Sequence, residues 1–185
     1  MLTLAVIADT HVPDRQRVLY PAILEALQAA RPQGILHAGD ISHPGLVAAL
    51  EKIAPVTAVR GNRDWAFPQL PLIRQVTLEG VTIGLAHGHG GLIHYVRDKW
   101  TYIRYGYNFE RYRALLEPLF PDAQVVVFGH THHQMNEVVN GRLFLNPGNA
   151  YPSRSNGFRA CLGFLCLDNG QAQGHLWSAG NPLPF

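Results

Sequence analysis

The chain has 185 residues, 47% of them hydrophobic and 15% charged, a composition that excludes extended disorder and fits one domain, 1–185, with a sizeable core. The formal net charge of +2 is too small to indicate nucleic acid as a partner. The apolar run Leu2–Ala8 has no basic leader before it, and no apolar stretch nears the ~20 residues of a membrane span, so a cytoplasmic protein without a membrane partner is expected.

Leu2–Ala8 reads as a strand. Pro21 opens a helix with Ile23, Leu24, Leu27 and Ala30 at a 3.6-residue period. Gly34–Ala38 is a buried strand ending at Gly39-Asp40. Ser42 and Pro44 signal a second helix, with Leu46, Val47, Leu50 and Ile53 on one stripe. Val56–Val59 is a third strand, ending at Gly61-Asn62. This β-α-β-α-β order predicts a parallel sheet with right-handed crossovers.

The pattern then changes. Val76–Leu78 and Val81–Ala86 flank Glu79-Gly80 as a hairpin. Val125–Phe128 is another buried strand. Val138–Val139 and Leu143–Leu145 flank Asn140-Gly141, and Ala160–Leu167 and Gln171–Trp177 flank Asp168-Asn169-Gly170. The second half is therefore expected to be mostly antiparallel. The fold class that follows is α/β, with two mixed sheets packed face to face and helices outside. Cys161 and Cys166, five apart in one strand, point to opposite faces and are read as reduced thiols.

Residues 93–119 stand apart. Ile93, Val96, Trp100, Ile103 and Tyr107 step by three and four, as do Phe109, Tyr112, Leu116 and Leu119, with Gly106 as a break. The plain expectation is two amphipathic helices covering a sheet. The opposite face gathers Arg97, Lys99, Arg104, Tyr105, Arg111 and Arg113. It is a candidate to cap a site, grip an anionic substrate or form a homo-oligomer contact.

The chemistry resides in five short motifs: Asp9-Thr10-His11, Gly39-Asp40, Gly61-Asn62, His87-Gly88-His89 and Gly129-His130-Thr131-His132. Nearly all follow a hydrophobic run, where ligand sites of open α/β sheets form. Asp9 and His11 are two apart, so an extended backbone aims both at one ion; His130 and His132 repeat the arrangement. Carboxylate with imidazole suits Mn, Fe, Ni, Co or Zn better than Mg or Ca. The donors are too many for one ion and suit two, with a shared carboxylate, best supplied by Asp40.

In this order, the motifs resemble those of the calcineurin-like metallophosphoesterases. The short chain and Asn146-Pro147-Gly148 look like the small bacterial and archaeal phosphodiesterase branch, which is related to the metallophosphoesterase-fold subunit of the retromer coat. The resemblance spans roughly residues 2–167. It implies a four-layer α/β/β/α sandwich. It also implies that Asp9, His11 and His132 hold one metal, that Asn62, His87 and His130 hold a second, and that Asp40 bridges them.

One departure matters. Many family members carry a His after Gly-Asn, thought to protonate the leaving group; here the residue is Arg63, which cannot give up a proton near neutral pH but can bind a phosphate oxygen. His89 is a candidate to supply that proton or to act as a hydrogen-bonding support. Asn149 stands where relatives often have Ser. Asp64 is expected to orient the Asn62 loop or Arg63. His37 is expected in the core, His43 at a helix start or on the surface, His133 outside the ligand set, and Arg154 and Arg159 on the surface.

The expected function is a binuclear phosphodiesterase acting on a small phosphorylated substrate, with Mn the foremost metal and a metal-bridging hydroxide attacking phosphorus in line. Asp40, Asn62, Arg63 and His89 are its candidate catalytic residues. The alternatives are a non-catalytic metal-binding scaffold of the same fold and a pyrophosphate or nucleotide hydrolase.

Overall fold

The computed structural model describes residues 1–65 and 67–185, without the side chains of Leu92 and Ile93. The described residues form two five-stranded sheets. The first carries β1 (Leu2–Ile7), β2 (Gly34–His37) and β3 (Val56–Ala58) in parallel, joined through α1 (Pro21–Ala30) and α2 (Pro44–Glu51). Pro opens both helices, where its missing N–H would have no helical partner. The His43 side chain caps α2 by accepting from the Gly45 N–H, so His43 is the helix-start residue.

The second sheet is built from β4 (Ile73–Leu78), β5 (Val81–Ala86), β6 (Val125–Val127), β7 (Gln134–Val139) and β8 (Arg142–Pro147) in the order β4-β5-β6-β8-β7. Its two edges are the expected hairpins. Its centre, β5-β6-β8, is parallel, which makes this sheet mixed, while the remaining pairs of the second half are antiparallel as expected. Short apolar runs such as Val125–Val127 carry burial but no direction. The crossover that reverses the chain here is α3 (Leu92–Tyr105) and α4 (Phe109–Leu116). The last hairpin, β9 (Cys161–Asp168) and β10 (Gln171–Ser178), joins the first sheet by pairing β9 antiparallel to β1. Positive φ at Asn140 and Gly141 gives the tight turn that Asn-Gly favours.

Strand alternation sets the layers. Ala5 and Ile7 of β1 face outward with Ile23, Leu27, Leu46 and Leu50 of the helices. Leu4 and Val6 face inward with Ile83, Leu85, Val125, Val127 and Leu145 of the other sheet. Tyr112 and Leu116 of α4 cover the outer face of the second sheet, against Phe128 and Phe144. The result is the four-layer α/β/β/α sandwich.

The expected cover at 93–119 is only half realised. The helices break at Gly106, and α4 buries its stripe. On α3, however, Val96, Trp100 and Ile103 are 55%, 71% and 78% exposed. The Ile93 side chain, part of that predicted stripe, lies outside the described residues. The inward face of α3 carries polar groups instead: Tyr95, Asp98 and Lys99 line the cleft at the strand tips. A helix laid over a polar site has its polarity reversed.

Candidate metal centre

The five motifs converge where β1, β2, β3, β5 and β6 end, at the carboxyl edges of both sheets. Asp9 Oδ1 lies 3.4 Å from His132 Nε2 and 3.9 Å from His11 Nε2, and those two nitrogens are 3.4 Å apart. Asn62 Oδ1 lies 3.0 Å from His87 Nε2 and 3.1 Å from His130 Nδ1. Asp40 spans the two groups: Oδ2 is 3.7 Å from His11 Nε2, and Oδ1 is 3.5 Å from His87 Nε2. Asp9 Oδ1 also reaches to 4.0 Å from His87 Nε2.

These atoms fit cations. Asp9 Oδ1 is buried and has no hydrogen-bond donor, which is costly for a carboxylate oxygen unless a cation meets it. His87 Nδ1 sits 2.7 Å from the Ala38 carbonyl, which can only accept. Nδ1 therefore carries the proton, leaving the Nε2 lone pair directed at the centre. Asp9 Oδ2 accepts from the His130 N–H at 2.9 Å, tying the two sheets' loops together.

The backbone pays a conformational penalty to present these groups. Asp9, His11, Asp40, His130 and His132 all have positive φ, a sparsely populated region for non-glycine residues and one that clusters at functional sites. Gly61 answers a different need. A Cβ there would stand 2.2 Å from Asp40 Oδ1 and 2.3 Å from its N, so only glycine lets the Asn62 loop approach the Asp40 loop.

Asp64 holds the two loops together. Its buried carboxylate accepts four backbone N–H groups, from Asp40 (2.9 Å), Ile41 (2.7 Å), Ser42 (2.8 Å) and Gly61 (2.7 Å). It thus orients chiefly the Asp40 loop, more widely than the expected role on the Asn62 loop or Arg63. Asn146 does the same for the histidine loop, donating to the Gly129 carbonyl and the Thr131 hydroxyl while accepting from the Gly148 N–H. Its side-chain role was not legible in Asn146-Pro147-Gly148 as a string.

Charge is finely balanced. Burial pushes the Asp40 carboxyl up to about 6, with Asp9 adding to the rise and His87 opposing it. Burial holds the His11 imidazole down at about 4 and that of His130 at about 3. Both rings are therefore neutral, and able to bind a cation, across the physiological range. Burial also works against a charged His132, but the neighbouring Asp9 outweighs it and raises that ring.

A cation must displace the Asp40 proton below about pH 6, so apparent metal affinity should fall as the pH drops through that value, by about tenfold per pH unit for each competing proton. Calorimetric titration of the metal-free protein with Mn at pH 7.5 and 5.0 reads this. Equal affinities at both would refute competition by the carboxyl.

A family model described as the calcineurin-like phosphoesterase superfamily domain matches residues 2–169. The chain belongs to the calcineurin-like phosphoesterase superfamily. A probable metallophosphoesterase of Methanothermobacter thermautotrophicus is 32% identical over 148 residues, covering 80% of this chain and 76% of that one. Another from Methanocaldococcus jannaschii is 28% identical, over 80% and 67%. Among solved structures, a Thermotoga maritima protein superposes with a TM-score of 0.65 at 30% identity, covering 96% and 99%. Zinc-complexed Vps29 from Entamoeba histolytica gives 0.72 at 22%, again over 96% and 99%, a likeness of fold. A phosphoester hydrolase with candidate metal-ligand groups is thus the supported activity.

Arg63, singled out in the sequence, sits at the edge of the centre. Its backbone N–H donates to Asp40 Oδ1 at 2.8 Å, and its guanidinium lies at the cleft mouth, 3.5 Å from Asp14. Arg15 and Lys99 join it in lining the cleft, a basic rim that only the folded chain assembles. His89 stands beside the centre, its ring 5.4 Å from that of His87, and it lines a neighbouring cavity along with Asn62 and Arg63. His37 is a core residue as expected, with Thr10 Oγ1 at 3.2 Å and the Gly39 N–H donating to its Nδ1. His133 turns away to the Tyr102 hydroxyl. Arg154 and Arg159 are exposed.

Proposed function

We propose that this chain is a phosphodiesterase with a two-cation centre. The observation that carries the reading is Asp40, whose two carboxylate oxygens face separate donor groups. In this reading, Asp9, His11 and His132 hold one cation and Asn62, His87 and His130 the other. Divalent transition metals, with Mn foremost, would supply Lewis acidity and an activated water near neutral pH.

The protein's own groups do the rest. Asn62 and Asp40 hold their oxygens in place through the Asp64 clamp. Arg63, Arg15 and Lys99 draw a phosphate anion into the cleft, where the guanidinium of Arg63, otherwise paired with Asp14, can bind a non-bridging oxygen. Arg63 gives no proton to the departing oxygen. Ester arms that leave without protonation are therefore favoured.

The expected result is faster turnover of bis-p-nitrophenyl phosphate than of p-nitrophenyl phosphate, by about tenfold in kcat/KM, with alkyl monoesters slower still. Steady-state rates in Mn-loaded protein measure this, and faster monoester turnover would reject the diester preference. Absence of turnover on every ester, with metal bound, would favour the scaffold alternative, for which the exposed face of α3 offers a surface for a partner or a second copy. A pyrophosphate hydrolase would instead turn over inorganic pyrophosphate or a nucleoside triphosphate faster than either nitrophenyl ester.

A further inference from the structure

A second cavity, of about 430 Å³, adjoins the metal cleft. Its size is that of a small-molecule site. Arg60, Trp65, Leu72 and His89 line it, and Asn62, Arg63 and Tyr95 form a wall common to it and to the cleft. A molecule whose phosphate reaches the metal ligands can therefore extend past Asn62 into this space.

The lining has an unusual make-up. Trp65 is 83% exposed and Leu72 48% exposed, so neither serves the core. Both stand beside two guanidinium groups, Arg60 and Arg63. Among the described lining residues the one carboxylate, Asp64, is buried and saturated by four backbone N–H groups, so it faces inward and offers the cavity no acceptor. The described lining is thus basic and aromatic, with no acidic group free to meet a cationic ligand. An indole with an open face gives stacking area to a planar ring, and guanidinium groups add to it.

We propose that this cavity is a subsite for a planar heteroaromatic arm of the substrate, such as a nucleobase, carried on the phosphate that sits at the metal ligands. The inference rests on the phosphodiesterase reading and narrows it to nucleotide-like esters. Trp65 provides the stacking face, Leu72 an apolar wall, and Arg60 a donor for the ring edge.

The test is calorimetric binding to Mn-loaded protein of two monoesters that present the same phosphate, adenosine 5′-monophosphate and methyl phosphate. The nucleotide is expected to bind about tenfold or more tightly than methyl phosphate, the range of one base stacked on one aromatic ring. Trp65→Ala should abolish that advantage, and Trp65→Phe should restore most of it. Unchanged thermal melting of the variants, expected for so exposed a side chain, certifies the fold. Equal affinities in the wild type, or an advantage that survives Trp65→Ala, overturns the subsite while leaving the metal centre standing. Failure of both esters to bind overturns the phosphodiesterase reading as well.

Discussion

Asp40→Asn is expected to bind one equivalent of Mn at most and to lose about a thousandfold in turnover of bis-p-nitrophenyl phosphate. The geometry sets the direction. Oδ1 of Asp40 accepts from the Arg63 N–H at 2.8 Å, so the amide oxygen of the variant must take that position. The NH₂ then faces His11, where Oδ2 stood 3.7 Å away, and an amide nitrogen is no metal donor. The group containing Asp9, His11 and His132 thus loses a ligand and a charge, while the group around Asn62 keeps an oxygen.

Loss of one cation removes several kcal/mol of charge stabilisation in phosphoryl transfer, of which about 4 kcal/mol corresponds to a thousandfold rate loss. The fold should survive, because burial already pushes the Asp40 carboxyl up to about 6 and so works against its charged form in the metal-free protein. Elemental analysis, rate and melting temperature separate these effects. Two equivalents of Mn bound at wild-type rates would remove Asp40 from the bridging position.

Asp64→Asn is expected to destabilise the protein by about 3–5 kcal/mol, although its side chain meets only backbone N–H groups and no proposed metal-donor atom. Four backbone N–H groups converge on this carboxylate. An amide offers one oxygen, which can still satisfy the Ile41 and Ser42 pair or the Asp40 and Gly61 pair. Its NH₂ must then face the other two donors in a buried space. Leaving such donors unmatched costs about 1–3 kcal/mol each.

The damage falls on the loops that carry Asp40 and Asn62, so metal affinity should fall with stability. Urea unfolding of the metal-free variant isolates the first effect, and Mn titration reads the second. A midpoint within error of the wild type would mean that the four bonds contribute little and that the loops are held elsewhere.

Much of the centre was legible before the fold. Nearly all of the candidates Asp9, His11, Asp40, Asn62, His87, His130 and His132 follow an apolar run, and strand ends are where such groups can meet. Asp9 and His11 do reach one group, but not through the extended alternation expected: both have positive φ, and His130 and His132, at the same spacing and also with positive φ, face different groups, His130 toward Asn62 and His132 toward Asp9. The hairpins at Glu79-Gly80 and Asn140-Gly141 were equally open, since both need two residues of positive φ. The periodicity of 93–119 gave two helices but chose the wrong partner for one of them. A 3.6-residue stripe says that a face is apolar; it does not say what that face meets. Because α3 lies over a polar cleft, its apolar stripe is turned to solvent.

The amino-acid order by itself determined the element types, the layered α/β class and the list of candidate metal donors, because each depends on local spacing along one segment. Only the tertiary structure decided the parallel centre of the second sheet, the four-fold grip of Asp64, the basic rim of Arg15, Arg63 and Lys99, and the cavity beside Trp65. Those are relations between segments far apart in the chain, and they exist only once two sheets stack and bring their strand ends to one edge.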